Sequence, residues 1–153
     1  MPELTIRPAH PRDAARLSAI ALAVKRDWGY PERWLAVWAQ QLSVTPAYIR
    51  AHAVFVARGT RRLCGFCALV ERPRFWELDH FWIHPDSMGQ GIGRRLFARA
   101  LNHVRGRGPR VLRIVSDPNA AGFYQRMGAR RVGSVSVPVS GVQRRLPRLE
   151  VHF

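Results

Sequence analysis

The chain is short of acid and nearly without lysine. Its 153 residues carry 10 Asp and Glu against 25 Lys and Arg, a formal net charge of +15, and Lys25 is the single lysine. Clustered cations attract phosphate polyanions and release their counterions, but the arginines here are scattered from Arg7 to Arg148 rather than gathered in one stripe. That scatter argues against nucleic acid as a partner, while a small phosphate-rich ligand would still gain from the field. Long apolar runs are also missing, since Arg26, Arg50, Arg58 and Arg72 interrupt every candidate. None reaches the roughly 20 residues that cross a bilayer, so no membrane partner is expected. Residues 1–13 lack the apolar core of a secretory signal, and a cytoplasmic protein is the expectation. Cysteine is confined to Cys64 and Cys67, in a run that reads as a strand, where positions three apart should point to opposite faces. With no second cysteine pair, a buried structural role is expected and no metal site.

Hydrophobic residues make up 47% of the chain and five are tryptophan, so the composition is that of a globular protein. The length suits one domain over residues 1–153. Residues 4–7 read as a first strand. A helix opens near Pro11 and Asp13 and runs to about Asp27 on Ala15, Leu17, Ile20, Leu22 and Val24. A second follows Pro31, with Trp34, Leu35, Trp38 and Leu42 on one face; residues 45–51 are ambiguous. Residues 54–57, 63–70 and 76–83 form three strand-like runs separated by turns, as an antiparallel meander requires. Ile92, Leu96, Phe97, Ala100 and Val104 then recur at helical spacing until the segment 106–109 ends that helix. A strand at 111–115, a short helix opened near Asp117 and closed by Gly128, and strands near 131–137 and 149–153 complete a mixed α/β chain.

Between the third meander strand and the helix after it, Ile83-His84-Pro85-Asp86-Ser87-Met88-Gly89-Gln90-Gly91-Ile92-Gly93-Arg94 passes through three alternate glycines. Such a turn leaves N–H groups free at a helix N-terminus, where the dipole favours an anion by about 0.3–1 kcal/mol. The spacing G-x-G-x-G differs from the dinucleotide fingerprint, and no lysine follows as a Walker loop needs.

These residues resemble the GNAT superfamily of N-acetyltransferases, and the resemblance spans nearly the whole chain. The family's pyrophosphate loop, (Gln or Arg)-x-x-Gly-x-(Gly or Ala), falls on Met88, Gly89, Gln90, Gly91, Ile92 and Gly93, with Met88 departing from the pattern. About 30 residues on, Asp117-Pro118-Asn119-Ala120-Ala121-Gly122-Phe123-Tyr124-Gln125-Arg126-Met127-Gly128 matches the family's second cofactor segment. The resemblance implies a mostly antiparallel sheet of about seven strands, splayed between the fourth and fifth, with helices on both faces. It implies acetyl-CoA as cosubstrate, no metal, and direct acetyl transfer to a primary amine, on a small molecule or a protein. Backbone groups of Phe81, Trp82 and Ile83 would pair with the pantetheine arm. Asn119 and Phe123 would meet it in the cleft, and Arg94 or Arg95 would meet the adenosine phosphate. Trp28, Tyr30 and Trp34 would wall the acceptor pocket, and the segment 144–147 resembles a tail that could bring cations to an acidic acceptor. The acceptor and a homodimer stay open. Two other readings of the same scaffold are a non-catalytic acyl-CoA sensor and a basic nucleic-acid-binding module.

Amine acylation needs a base for the amine and a proton for the departing thiolate. Glu77 and Asp79 stand two apart, hence on one face of the fourth strand, with Glu77 preferred as base. Tyr124 resembles the family's tyrosine acid; a phenol near pKa 10 protonating a thiolate near 8.5 works uphill by about 2 kcal/mol, so hydrogen bonding counts as much as transfer. Strand parity would place His80 and His84 on the face opposite Glu77.

Overall fold

The computed structural model describes residues 3–153. Seven strands form one sheet in the order β1-β2-β3-β4-β5-β7-β6: β1 (Thr5–Pro8), β2 (Ala53–Arg58), β3 (Leu63–Glu71), β4 (Trp76–Ile83), β5 (Val111–Val115), β6 (Arg130–Val139) and β7 (Val142–His152). Every pairing is antiparallel except β4 with β5. That parallel pair is held by only two register partners, Trp76 with Leu112 and Glu77 with Arg113. Beyond them the strands part, and the rest of β4 has no strand partner on that side among the described residues. This is the splay expected between the fourth and fifth strands.

Helices cover both faces. The helix α1 (Ala14–Asp27) follows a 3-10 turn at Pro11–Asp13, and α2 (Glu32–Gln41) follows Pro31. The ambiguous stretch becomes α3 (Pro46–Ala51), which starts because Thr45 accepts from the Tyr48 N–H at 3.1 Å and proline occupies the first turn. On one face of the sheet Leu17 and Ile20 of α1 and Ile49 of α3 are buried with Val56 and Phe66. On the other, α4 (Ile92–Val104) buries Leu96, Phe97, Ala100 and Val104 with Leu69, Leu78 and Leu112, and Tyr124 of α5 (Ala121–Arg126) joins them. The periodic residues expected on α4 are its buried residues. At this scale each fully buried Leu or Phe contributes about 1.5–3 kcal/mol. None of the described helices is long and apolar enough to cross a membrane.

Two register irregularities correct the simple alternation. On β4, Ala68 pairs with His80 and Leu69 with Leu78, so Asp79 is an extra residue, a bulge. Trp76 and Leu78 before it, and Phe81 and Ile83 after it, all belong with the α4-side cluster. The bulge thus reverses the parity: His80 packs on Phe66 and Trp82 joins the α1-side cluster, the face to which Glu77 also alternates. His80 does not lie opposite Glu77. On β3 a second shift, between the partners of Ala57 and Arg58, takes Cys64 into the cluster of Ala57 and Ile92, while Cys67 sits with Leu96 and Phe97. Both free cysteines therefore pack on the α4 side, not on opposite faces.

The last strand is longer than its expected 149–153. Val139 pairs with Val142 across Ser140 and Gly141, whose φ values of 44° and 77° make a two-residue turn that matches the twist of its strands. Residues 144–147, expected as a tail, are ladder residues of β7. Gly141→Val should lower stability by about 1–2 kcal/mol, since a β-branched residue resists positive φ. Urea unfolding checks this, and an unchanged midpoint would mean that the hairpin tip tolerates the strain.

Candidate functional site

Where β4 leaves β5 the chain encloses a cavity of about 430 Å³. Phe81, Trp82 and Ile83 supply one wall from β4, and Asn119, Phe123 and Tyr124 supply the other from the α5 segment. Its end is closed by Met88, Gly89, Gly91, Ile92, Gly93 and Arg94. Gly89 and Gly91 have φ values of 77° and 79°, which L side chains resist, and Gly91 caps α4. The first N–H groups of α4 have no acceptor within the helix and sit at this end of the cavity. Gly93 serves a different purpose: a Cβ there would stand 3.1 Å from the Phe123 ring. Its absence lets α5 close against α4. Gln90 does not line the cavity.

An aromatic cluster joins the two walls. Phe81 stacks on Phe123 at 5.4 Å between centroids and meets Phe97 and Tyr124 edge-on at 5.8 Å. Burial first, then the proximity of Cys67 and Asp117, raises the Tyr124 pKa, so its phenol stays protonated across the neutral range. The Cys67 thiol is pushed up to about 12 by burial.

Glu77 and Asp79 lie outside this lining. Glu77 accepts from the Arg72 guanidinium at 3.2 Å, and Asp79 accepts a close hydrogen bond from the Tyr48 hydroxyl. Tyr48 sits edge-on to His80 at 5.8 Å, so Asp79, Tyr48 and His80 form one group. Burial, and then the Asp79 hydrogen bond, raises the Tyr48 pKa. His80 accepts from the Trp82 indole N–H at Nδ1, 2.9 Å, which puts the proton of the neutral ring on Nε2. Burial lowers its pKa against the pull of Asp79.

Of the three aromatics expected around an acceptor, Trp28 lines the cavity, 6.2 Å from Trp82. Tyr30 and Trp34 do not. They stack at 5.6 Å and gather with Trp38 around two of the protein's own cations. Lys25, 6% exposed, places Nζ 4.1 Å from the Trp38 centroid, and Arg144 lies 4.9 Å from that of Tyr30. Both cations meet Asp117, at 2.8 Å from Lys25 and 3.4 Å from Arg144. Arg144 is therefore engaged inside the protein. Lys25 continues the buried stripe Leu17, Ala21, Val24 of α1, a periodic signal that its charge masks.

A family description, the acetyltransferase (GNAT) domain, matches residues 50–128. The chain belongs to this family. An uncharacterised N-acetyltransferase of Methanocaldococcus jannaschii is 29% identical over 68 residues, which is 42% of this chain and 30% of that protein. The chain spans less than half the length of the curated relatives it matches. Among solved structures, the PaiA N-acetyltransferase of Thermoplasma acidophilum in complex with coenzyme A superposes with a TM-score of 0.81 at 16% identity, over 99% of both chains. A GNAT acetyltransferase of Brucella melitensis in complex with acetyl-CoA gives 0.68 at 21%, over 99% of this chain and 88% of that one. At these identities the structures share the fold.

Although burial acts to raise the Asp117 pKa, the Lys25 ammonium and the hydrogen bonds from Lys25 and Asn119 hold it below the ordinary carboxylate value. The stability it contributes is complete above its unfolded pKa of about 3.9 and is lost as pH falls through the lower folded value. The stability gap between the wild type and Asp117→Asn should thus be constant above about pH 5 and shrink below about pH 4. Urea unfolding from pH 6 to 2 measures it; a gap that does not change with pH would mean that Asp117 titrates alike in both states.

Proposed function

We propose that the chain, acting as one domain over residues 1–153, transfers the acetyl group of acetyl-CoA directly to a primary amine of a small molecule or a protein. The observation that carries this reading is the meeting of two features in one cleft. The unpaired amides of the glycine turn face one end, suited to a diphosphate, and the Tyr124 phenol stands in the wall formed by α5. Phe81, Trp82 and Ile83 offer a free strand edge for the amides of the pantetheine arm. Asn119 and Phe123 complete its channel, and Arg94 stands at the phosphate end.

In this reading Glu77 removes the amine proton, directly or through water, as the nitrogen attacks the thioester carbonyl. The C–S bond then breaks, and Tyr124 gives its proton, or a hydrogen bond, to the leaving sulfur. Direct transfer fits the burial of both cysteines, and the Cys67 thiol, pushed up to about 12, is a poor acyl carrier. Trp28 stands at the acceptor end. The relatives' recorded ligands, coenzyme A and acetyl-CoA, support the choice of donor.

Acetyl-CoA at a hundredfold excess over Kd should stabilise the protein by about 2.7 kcal/mol, read as a rise in Tm. Gly91→Glu should remove that rise by placing an anion at the turn. A full rise in a folded Gly91→Glu protein would take the turn out of the site. Thiol release with a panel of amines then separates catalysis from sensing, because binding without release for any amine supports a sensor.

With an acceptor in hand, Tyr124→Phe should lower kcat by about ten to a thousandfold while acetyl-CoA affinity stays near wild type. Glu77→Gln should lower kcat/KM by on the order of a hundredfold, most strongly below the amine's pKa. Asp79→Asn is the comparison. A greater loss there moves the base to the Asp79 and Tyr48 pair, and wild-type kcat in Tyr124→Phe means that the thiolate leaves unaided.

A further inference from the structure

Lys25, Tyr30 and Asp117 come from α1, the turn after it and the segment before α5, and they converge on Asn119. The Asn119 Nδ2 donates to Asp117 Oδ1 at 2.9 Å and to the Tyr30 hydroxyl at 3.1 Å. Both amide hydrogens are thereby used, which leaves Oδ1 as the free polar atom of the carboxamide on a residue that lines the cleft. The Tyr30 hydroxyl in turn donates to Asp117 at 2.9 Å and accepts from Arg144 at 2.8 Å.

An ionised carboxylate only accepts, so Asn119 cannot flip without setting its own oxygen against that of Asp117. The orientation depends on Asp117 remaining charged. Lys25 secures that from 2.8 Å, and its ammonium lies in a dry box, with Nζ 5.8, 5.4, 4.1 and 5.5 Å from the rings of Trp28, Tyr30, Trp38 and Trp82, where burial lowers its pKa against the pull of Asp117. Removing the ammonium would leave a buried carboxylate with Arg144, at 3.4 Å, as its remaining cation.

We propose that Lys25, Asp117 and Tyr30 are positioning residues that lock the Asn119 carboxamide with its oxygen turned into the cleft, as an acceptor for an amide N–H of the bound acetyl-CoA. The inference rests on the acetyl-CoA reading for the ligand but not for the lock itself. The lock is a property of the free protein.

Two measurements separate these. In the free protein, the Asn119 side-chain NH2 should give dispersed, exchange-protected signals by nitrogen-15 NMR, and Lys25→Met and Tyr30→Phe should each remove that protection. Rapid exchange in the wild type, or protection unchanged in both variants, overturns the lock whatever the ligand. Calorimetric titration with acetyl-CoA then tests its use. Tyr30→Phe, which keeps the ring, and Lys25→Met should each weaken binding by about three to tenfold, the worth of one hydrogen bond. In an Asn119→Ala background both effects should fall to within about twofold, because they act through that side chain. Equal losses in both backgrounds would make Lys25 and Tyr30 wall residues and overturn the proposal. If Lys25→Met does not fold, the Tyr30→Phe cycle decides alone. A wild type with a protected Asn119 that binds no acetyl-CoA would sink the acetyl-CoA reading, and the proposed use of the lock with it, while the lock stands.

Discussion

Two register pairs between β4 and β5, and no more, shape everything around them. A parallel strand pair that stops after Glu77 leaves the backbone of β4 with an open edge from Leu78 to its end, and unpaired amides and carbonyls inside a fold require partners. The parted strands also leave a wedge that the core has to fill. Phe81, Phe97, Phe123 and Tyr124 fill part of it as a set of mutually packed rings drawn from β4, α4 and α5. Three of these rings, Phe81, Phe123 and Tyr124, also line the remaining space, so the stability of the splay and the shape of the cavity rest on shared side chains.

The bulge at Asp79 is the second geometric event on β4, and it acts on chemistry rather than on shape. Without it, alternation would send His80 and Trp82 toward α4. With it, the strand presents His80 to Tyr48 and Trp82 to Lys25, while Phe81 and Ile83 take the α4 side. One inserted residue thereby supplies a polar face and an aromatic face from a single short strand.

This also marks what could be read from the residues in order. The α4 stripe, the glycine turn and the short helix before Gly128 were legible because helical period and positive-φ glycines leave local signatures. The splay came from the family resemblance, and the strand pairing bears it out. The bulge was not legible: it is a matter of register with β3, and nothing local in Glu77-Leu78-Asp79-His80 announces it. The Val139 to Val142 hairpin was legible in principle, from valines alternating with small and polar residues around Ser140-Gly141, but the second strand's arginines and Pro147 hid its start. Lys25 was obscured by its charge, since its partner stands 92 residues away in Asp117. Roles for Glu77, Asp79 and the aromatics could be suggested from position alone, and their environments turn out to differ: an arginine beside Glu77, a tyrosine on Asp79, and the protein's own cations among Tyr30, Trp34 and Trp38.

The burial of Lys25 has one more consequence, seen from the solvent side. Every other side-chain cation except histidine is an arginine, whose guanidinium stays protonated and is no acyl acceptor at ordinary pH. The only ε-amino group is sealed among indole and phenol rings and held by a carboxylate. Strongly basic as it is, the surface draws its charge from arginine and displays no lysine nitrogen that an activated thioester could modify.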